Sequence, residues 1–344
     1  MNRTEISKYG EFGLIKHLTE KIKLQNPSSL KGVGDDAAVL DYKDKRVLVT
    51  TDLLLEGIHF DLTYMPLKHL GYKSAIVNFS DIYAMNGQPK QITVSLGVSK
   101  RFSVEDLEDI YAGINLACEK YGVDLVGGDT SASLTGLTIS ITCIGEGEEG
   151  KIVYRNGAKA NDLICVTGDL GSAYMGLQLL EREKTVFAGR TGEEEVQPDF
   201  EGKKYILQRQ LKPEARKDVI ETLGQKGIIP TAMMDISDGL SSELIHICSQ
   251  SNVGCRIYED KIPINYEAAV MAEELNMNLV TATLNGGEDY ELLFTVSIED
   301  YDKLVVIEGL AIIGHITKPE LGLNLVGREG EEIGLKAQGW NSLE

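Results

Sequence analysis

The chain has 344 residues, 42 % hydrophobic and 25 % charged, which is ordinary globular usage, and the length predicts two domains with a sizeable core. Lys and Arg number 34 against 53 Asp and Glu, a formal charge of −19. That balance excludes nucleic-acid binding through a basic surface but not anionic small ligands whose charge is met by metal ions. Cys118, Cys143, Cys165, Cys248 and Cys255 are dispersed with no CxxC, so they are expected to be reduced, core-filling thiols. The opening MNRTEISKYGEFGLIKHL has no apolar h-region, and no run is long enough for a bilayer; the expectation is a soluble cytoplasmic protein without membrane contact.

In chain order, helical periodicity covers 5–23, and VLVTT at 47–51 reads as a strand. A helix is predicted at 67–85, a strand at 91–98, and a helix at 103–121, where Ser103 with Asp106 three residues on is a variant of the capping pattern. Strands follow at 137–144 and 163–167, helices at 170–182, 213–225 and 239–251, and a strand at 290–296. Alternating helices and strands predict an α/β (α+β) class with mixed sheets. The polar, glycine-rich GEGEEGKIVYRNGAKAN at 145–161 marks the boundary, dividing the chain into 1–148 and 149–344. The stretch 184–204, KTVFAGRTGEEEVQPDFEGKK, reads as an exposed loop without chemistry.

Two apparent motifs fail on physical grounds. GEGEEG at 145–150 matches GxGxxG and, with Lys151, nearly a P-loop, but Ile152 stands where Ser or Thr should coordinate magnesium. Glu146, Glu148 and Glu149 would face the phosphates, and KIVYR reads as strand rather than a helix able to bind them. It is therefore a hairpin or linker turn. His17, His59, His69, His246 and His315 show neither HxxxH nor a Ser/His/Asp pattern and read as surface or packing residues.

The aspartates are different. GDD (34–36), TTD (50–52), NFSD (78–81), VGGD (126–129) and DISDG (235–239) share one texture: an apolar run, then Gly, Ser or Thr, then Asp. TTD and VGGD place Asp52 and Asp129 at the carboxyl ends of predicted strands, where α/β sheets bind ligands; Asp81 falls within a helical pattern, and Asp235 and Asp238 precede a helix. Alone, each reads as a turn, a cap or a solvated helix residue. Together they suit several Mg²⁺ ions, which take oxygen ligands from one or two carboxylates plus substrate phosphates. Arg155 reads either as a phosphate fork or as a surface cation. Glu288, after a double glycine, reads as a ligand contact or a solvated turn. Trp340, the sole tryptophan, either stacks on a ligand or packs the tail.

EFGLI (11–15), GDDAAVL (34–40), TTDLLLEGIHF (50–60), VNFSDIYAMNGQP (77–89), VGGDTS (126–131), YRNGAKANDLICVTGDLG (154–171), DISDGL (235–240), GGEDYELLFTV (286–296) and GW (339–340) together resemble the thiamine-monophosphate kinase family of the PurM-like, aminoimidazole ribonucleotide synthetase-related superfamily. The resemblance implies phosphorylation of thiamine monophosphate with ATP and Mg²⁺, and a homodimer of a two-domain α/β fold. It implies metal binding by Asp36, Thr50, Thr51, Asp52, Asp81, Asp129, Asp235 and Asp238; ATP contacts from Gly128, Asp129, Arg155 and Ser237; and substrate contacts from His59, Glu288 and Trp340. The acceptor is already an oxyanion near neutrality, so direct in-line transfer needs no general base. The alternatives are another ATP-dependent member of the superfamily, such as an aminoimidazole ribonucleotide synthetase, or a non-catalytic acidic scaffold for divalent cations or nucleotide. A selenophosphate synthetase lacks support because no cysteine precedes Cys118, and a hydrogenase-maturation relative because the chain ends GWNSLE.

Overall fold

The computed structural model describes residues 29–31, 34–42, 45–188 and 200–337; the helix expected at 5–23 and Trp340 lie outside them. The first sheet contains β1 (Ser29–Lys31), β2 (Ala38–Tyr42), β3 (Lys45–Leu55), β4 (Gln88–Val98), β5 (Asp124–Ala132) and β6 (Thr138–Gly147), in the order β1-β2-β3-β6-β4-β5. β4 and β5 run parallel, the other neighbours antiparallel. The second contains β7 (Leu163–Thr167), β8 (Ala232–Asp235), β9 (Gly254–Tyr258), β10 (Leu292–Val296), β11 (Leu310–Thr317), β12 (Leu323–Val326) and β13 (Glu332–Gly334), in the order β13-β12-β9-β11-β7-β10-β8.

The longer helices are α1 (Leu67–Ala84), α2 (Val104–Tyr121), α3 (Ser172–Ala188), α4 (Lys204–Leu211), α5 (Lys217–Gln225), α6 (Leu240–Ser251), α7 (Tyr266–Glu274) and α8 (Leu279–Asn285). The start of α2 is fixed as its sequence predicts. The Ser103 hydroxyl accepts the Asp106 N–H and the Asp106 carboxylate accepts the Ser103 N–H, and the left-handed Gly122 ends the helix.

Helix α1 organises the molecule. From Leu70 to Ala84 every residue except Asp81 is buried, because the helix packs on β3 and β6 of the first sheet and on β8 of the second. One apolar core accordingly runs from Val39 and Leu48 through Phe79 and Ile82 to Met233 and Phe294. Against α2 the approach is close enough to require glycine. A Cβ on Gly71 would lie 1.9 Å from the Ile110 carbonyl oxygen, and one on Gly113 would lie 1.9 Å from that of Lys68.

Three local expectations change. β3 and β5 continue past Asp52 and Asp129, because residues 53–55 still pair with β6 and residues 130–132 with β4; both aspartates are mid-strand. KIVYR joins neither ladder as a strand: the Val153 N–H donates to the Met85 carbonyl and the Tyr154 carbonyl accepts the Met233 N–H, so this segment bridges the two halves. Helix α3 extends to Ala188, so the stretch expected to be a loop from 184 begins as helix; residues 189–199 lie outside the described set. All five cysteines are buried and free. Among the described residues no helix is long and apolar enough to cross a membrane.

The glycine contact yields a prediction of opposite signs. Gly71→Ala or Gly113→Ala should lower stability in urea by about 1–3 kcal/mol through overpacking. Gly224→Ala, inside α5 with nothing within 4 Å of the added Cβ, should raise it by up to about 1 kcal/mol through helix propensity.

Candidate active site

Three distant segments converge on one point. Asp36 comes from the bend before β2, Asp81 from α1 and Asp235 from the end of β8, and their carboxylate oxygens lie within 4.8 Å of one another. Each has a specific holder. Arg155 forks onto Asp36, with Nε to Oδ2 and Nη2 to Oδ1 both 2.8 Å, while the Arg155 backbone N–H donates to Asp35. The Thr50 hydroxyl donates to Asp81 and the Ser80 hydroxyl to Asp235, each at 2.5 Å. Strand alternation puts Asp52 on the same face of β3 as Thr50, and its Oδ2 is buried with no hydrogen-bond partner.

Crowded carboxylates resist ionisation. Burial pushes the Asp52 carboxyl up to about 6. Asp235 rises to about 7, through burial first and then the Asp36 charge, with the Ser80 hydroxyl and Arg155 opposing. Asp81 stands well above the usual carboxylate range because of burial and the charges of Asp52, Asp235 and Asp36. Burial works against the charge on Arg155, but Asp36 and Asp35 outweigh it and keep the guanidinium protonated.

A cavity of about 140 Å³ opens from this cluster, lined by Asp52, Leu53, Leu54, His59, Lys73, Val77, Asp81, Asp235, Ser237, Glu288 and Tyr290. His59 Nδ1 accepts the Leu55 N–H at 3.0 Å, which leaves the proton of the neutral ring on Nε2. Glu288 takes the left-handed φ of +58° directly after Gly287, where a Cβ would sit 2.5 Å from the Ser237 carbonyl oxygen; glycine at 287 is needed for this close approach. Asp238 is half-buried beside the cavity, its N–H donating to Glu243. A larger cavity of about 630 Å³, bordered by Tyr258, Tyr301 and His315, carries no carboxylate and lies apart from these residues.

Other candidate residues are not gathered here. The Thr51 hydroxyl points to the opposite face of β3, where it donates to the Ile141 carbonyl; at most its backbone faces the cluster. Gly128 and Asp129 are exposed on the edge strand β5, three strands from Asp52. A Cβ on Gly128 would lie 1.9 Å from the Val94 carbonyl oxygen, so this glycine serves strand packing as well. Lys73, Ser80, Gln210 and Tyr290 belong to the site although no motif singles them out. The signal was present in YKSAIVNFSD, a helix buried along its length that nevertheless carries Lys, Asn and two serines; buried polar groups need partners.

Two family models match consecutive stretches: AIR synthase related protein, N-terminal domain, over residues 34–146, and AIR synthase related protein, C-terminal domain, over residues 159–323. Thiamine-monophosphate kinase from Aquifex aeolicus (strain VF5) is 35 % identical over 331 residues, covering 96 % of this chain and 99 % of its own. That of Bacillus subtilis (strain 168) is 37 % identical over 297 residues, covering 86 % of each. The chain belongs to the thiamine-monophosphate kinase family. The structure of AaThiL complexed with AMPPCP and TMP superposes with a TM-score of 0.83 at 33 % identity, covering 99 % of both chains. The fold is the two-domain PurM-like α/β (α+β) architecture of this family.

The donor set fits Mg²⁺. All donors are hard oxygens, and the orphaned Asp52 Oδ2 and the crowded carboxylates carry more negative charge than the Arg155 guanidinium can offset. The raised pKa values fix the sign of a prediction. Without metal, the folded protein keeps protons that the unfolded chain has released. This contribution to stability is therefore fully present below about pH 4 and lost as the pH rises through about 6 to 7. Metal binding needs those carboxylates ionised, so the gain in thermal midpoint from Mg²⁺ over chelator should be larger at about pH 8 than at about pH 5.5. Equal gains would remove the cluster as the metal site.

Proposed function

We propose that this protein transfers the γ-phosphoryl group of ATP to the phosphate of thiamine monophosphate, giving thiamine diphosphate and ADP. The observation that carries the reading is the meeting of Asp36, Asp81 and Asp235 within 4.8 Å beside a cavity that Asp52, His59, Ser237 and Glu288 also line, in a chain whose relatives are thiamine-monophosphate kinases.

Asp36, Thr50, Asp52, Asp81 and Asp235 would hold Mg²⁺ in this reading, together with Asp238, three residues after Asp235 on the same segment. Thr51 contributes through its backbone, and Asp129 forms an outlying ligand on β5. Bound Mg²⁺ supplies the positive charge that lets two anionic phosphates approach in line. Gly128, Asp129, Arg155 and Ser237 contact ATP; His59, Glu288 and Trp340 contact thiamine monophosphate. The acceptor phosphate has a second pKa near 6, so no side chain has to remove a proton, and His59, whose Nδ1 accepts the Leu55 N–H, serves as a hydrogen-bond donor through Nε2. Transfer is direct, without a phosphoenzyme. We place the domain boundary at 148/149, in the turn after β6. We take the working form to be a cytoplasmic homodimer, in which a partner covers the exposed edge strand β5.

Incubation with ATP, Mg²⁺ and thiamine monophosphate should give ADP and thiamine diphosphate in equal amounts, and chelator should abolish both. Nucleotide binding without turnover would favour a regulatory scaffold instead. Asp81→Asn should keep the fold, by circular dichroism, while lowering kcat/KM by about 100-fold or more, the size of the loss when one preorganised charge-stabilising group is removed. Near wild-type turnover would take Asp81 out of the reaction.

A further inference from the structure

Lys73 is an unusual lysine. It is 2 % exposed, in the middle of the buried helix α1. Its Nζ donates to Glu288 Oε2 at 2.9 Å and to the Gln210 carbonyl at 3.1 Å, and the Gln210 side-chain amide donates to the same Glu288 oxygen at 2.7 Å. The Glu288 side chain keeps 30 % exposure, and its backbone N–H is tied to the Ser237 carbonyl at 2.7 Å. A buried ammonium paired with a half-exposed carboxylate is a poor stabiliser, since desolvation offsets the attraction. What the arrangement achieves is orientation, because Glu288 is fixed at both its backbone and its carboxylate.

Lys73, Val77 and Asp81 are spaced i, i+4, i+8 and so share one face of α1; all three line the same cavity. At 1.5 Å per residue Lys73 and Asp81 are about 12 Å apart along the axis. The helix thus carries the carboxylate cluster at one end of the cavity and the holder of Glu288 at the other.

We propose that Lys73 and Gln210 are positioning residues that hold Glu288 as a charged acceptor for the nitrogen heterocycle of the substrate, so that α1 acts as a ruler for the acceptor. This rests on the kinase reading above and deepens it. A substrate anchored at Glu288 reaches the cluster at Asp81 and Asp235 only if it carries a terminal phosphate about two helical turns away. The unphosphorylated alcohol, anchored the same way, stops short.

Steady-state kinetics on the full chain would test this with Lys73→Met, Lys73→Arg, Glu288→Gln and the Lys73→Met/Glu288→Gln double variant. Lys73→Met should raise KM for thiamine monophosphate about tenfold or more, the scale of losing a charge-assisted hydrogen bond, with kcat and KM for ATP within about twofold. Lys73→Arg should recover part of the loss. In the Glu288→Gln background, Lys73→Met should add little, because no carboxylate remains to be held. Gln210→Met, which keeps the backbone carbonyl, should show a weaker version of the same split and serves if Lys73→Met does not fold. A parallel change in kcat and both KM values, or multiplying effects of Lys73→Met and Glu288→Gln, would overturn the assignment. The wild-type arm separates the two levels. No thiamine diphosphate from wild type removes the kinase reading and this inference with it, whereas wild-type turnover with multiplying variants removes only the role of Lys73. Wild-type turnover of free thiamine comparable to that of the monophosphate would overturn the ruler.

Discussion

Carboxylates from three separate segments, held within 4.8 Å of one another, are the constraint around which this molecule is built. Buried and set against one another, they resist ionisation, as the raised Asp81 and Asp235 carboxyls show. Among the described residues the fold supplies a permanent counter-charge, the Arg155 fork on Asp36, and two hydroxyl donors, Thr50 and Ser80. The remaining negative charge is what a divalent cation and the phosphates it carries require. A chain with a formal charge of −19 is thereby suited to polyphosphate ligands without a basic surface.

Holding repelling groups together takes a rigid frame, and α1 provides it. It is buried between the two sheets and meets α2 through Gly71 and Gly113 at distances no larger residue allows. From Leu70 to Ala84 its one half-buried position is Asp81, part of the cluster. Because Asp235 ends β8 of the second sheet while Thr50 and Asp52 lie on β3 of the first, the site exists only when both halves are docked on this helix. The bridge at Val153 and Tyr154 brings Arg155 to the same seam.

The loop from Gly286 to Glu291 shows how a strained backbone is kept in place. Glu288 and Tyr290 adopt left-handed φ values of +58° and +51° and both line the cavity. The intervening Asp289 is buried and accepts the Gly171 N–H at the start of α3. Glu291 is buried against Arg209 and Arg216. Residues in sparsely populated backbone regions persist where the surroundings over-determine them, and here the two alternate side chains do so by turning inward while their neighbours face the cavity.

Much of this was legible in the sequence. The mixed helix and strand pattern, the capping of α2 by Ser103, the helical setting of Asp81 and the family resemblance follow from local residue order, because period, turn chemistry and motif are local properties. What the order of residues did not disclose is which distant groups meet. The strands do not end at Asp52 and Asp129 as local order suggests, because pairing with β6 and β4 extends the ladders past a residue that disfavours strands by itself. Thr50 and Thr51 look equivalent in TTD, yet strand alternation sends one hydroxyl to Asp81 and the other to the far face. Lys73 looks like any helix lysine until α4 and the Glu288 loop close over it. The sequence by itself determined the family, the elements and the supply of carboxylates. Tertiary structure alone decided which of them share a cavity, since charge repulsion and buried ion pairs depend on distances between segments separated in the chain, from 31 residues for Thr50 and Asp81 to 215 for Lys73 and Glu288.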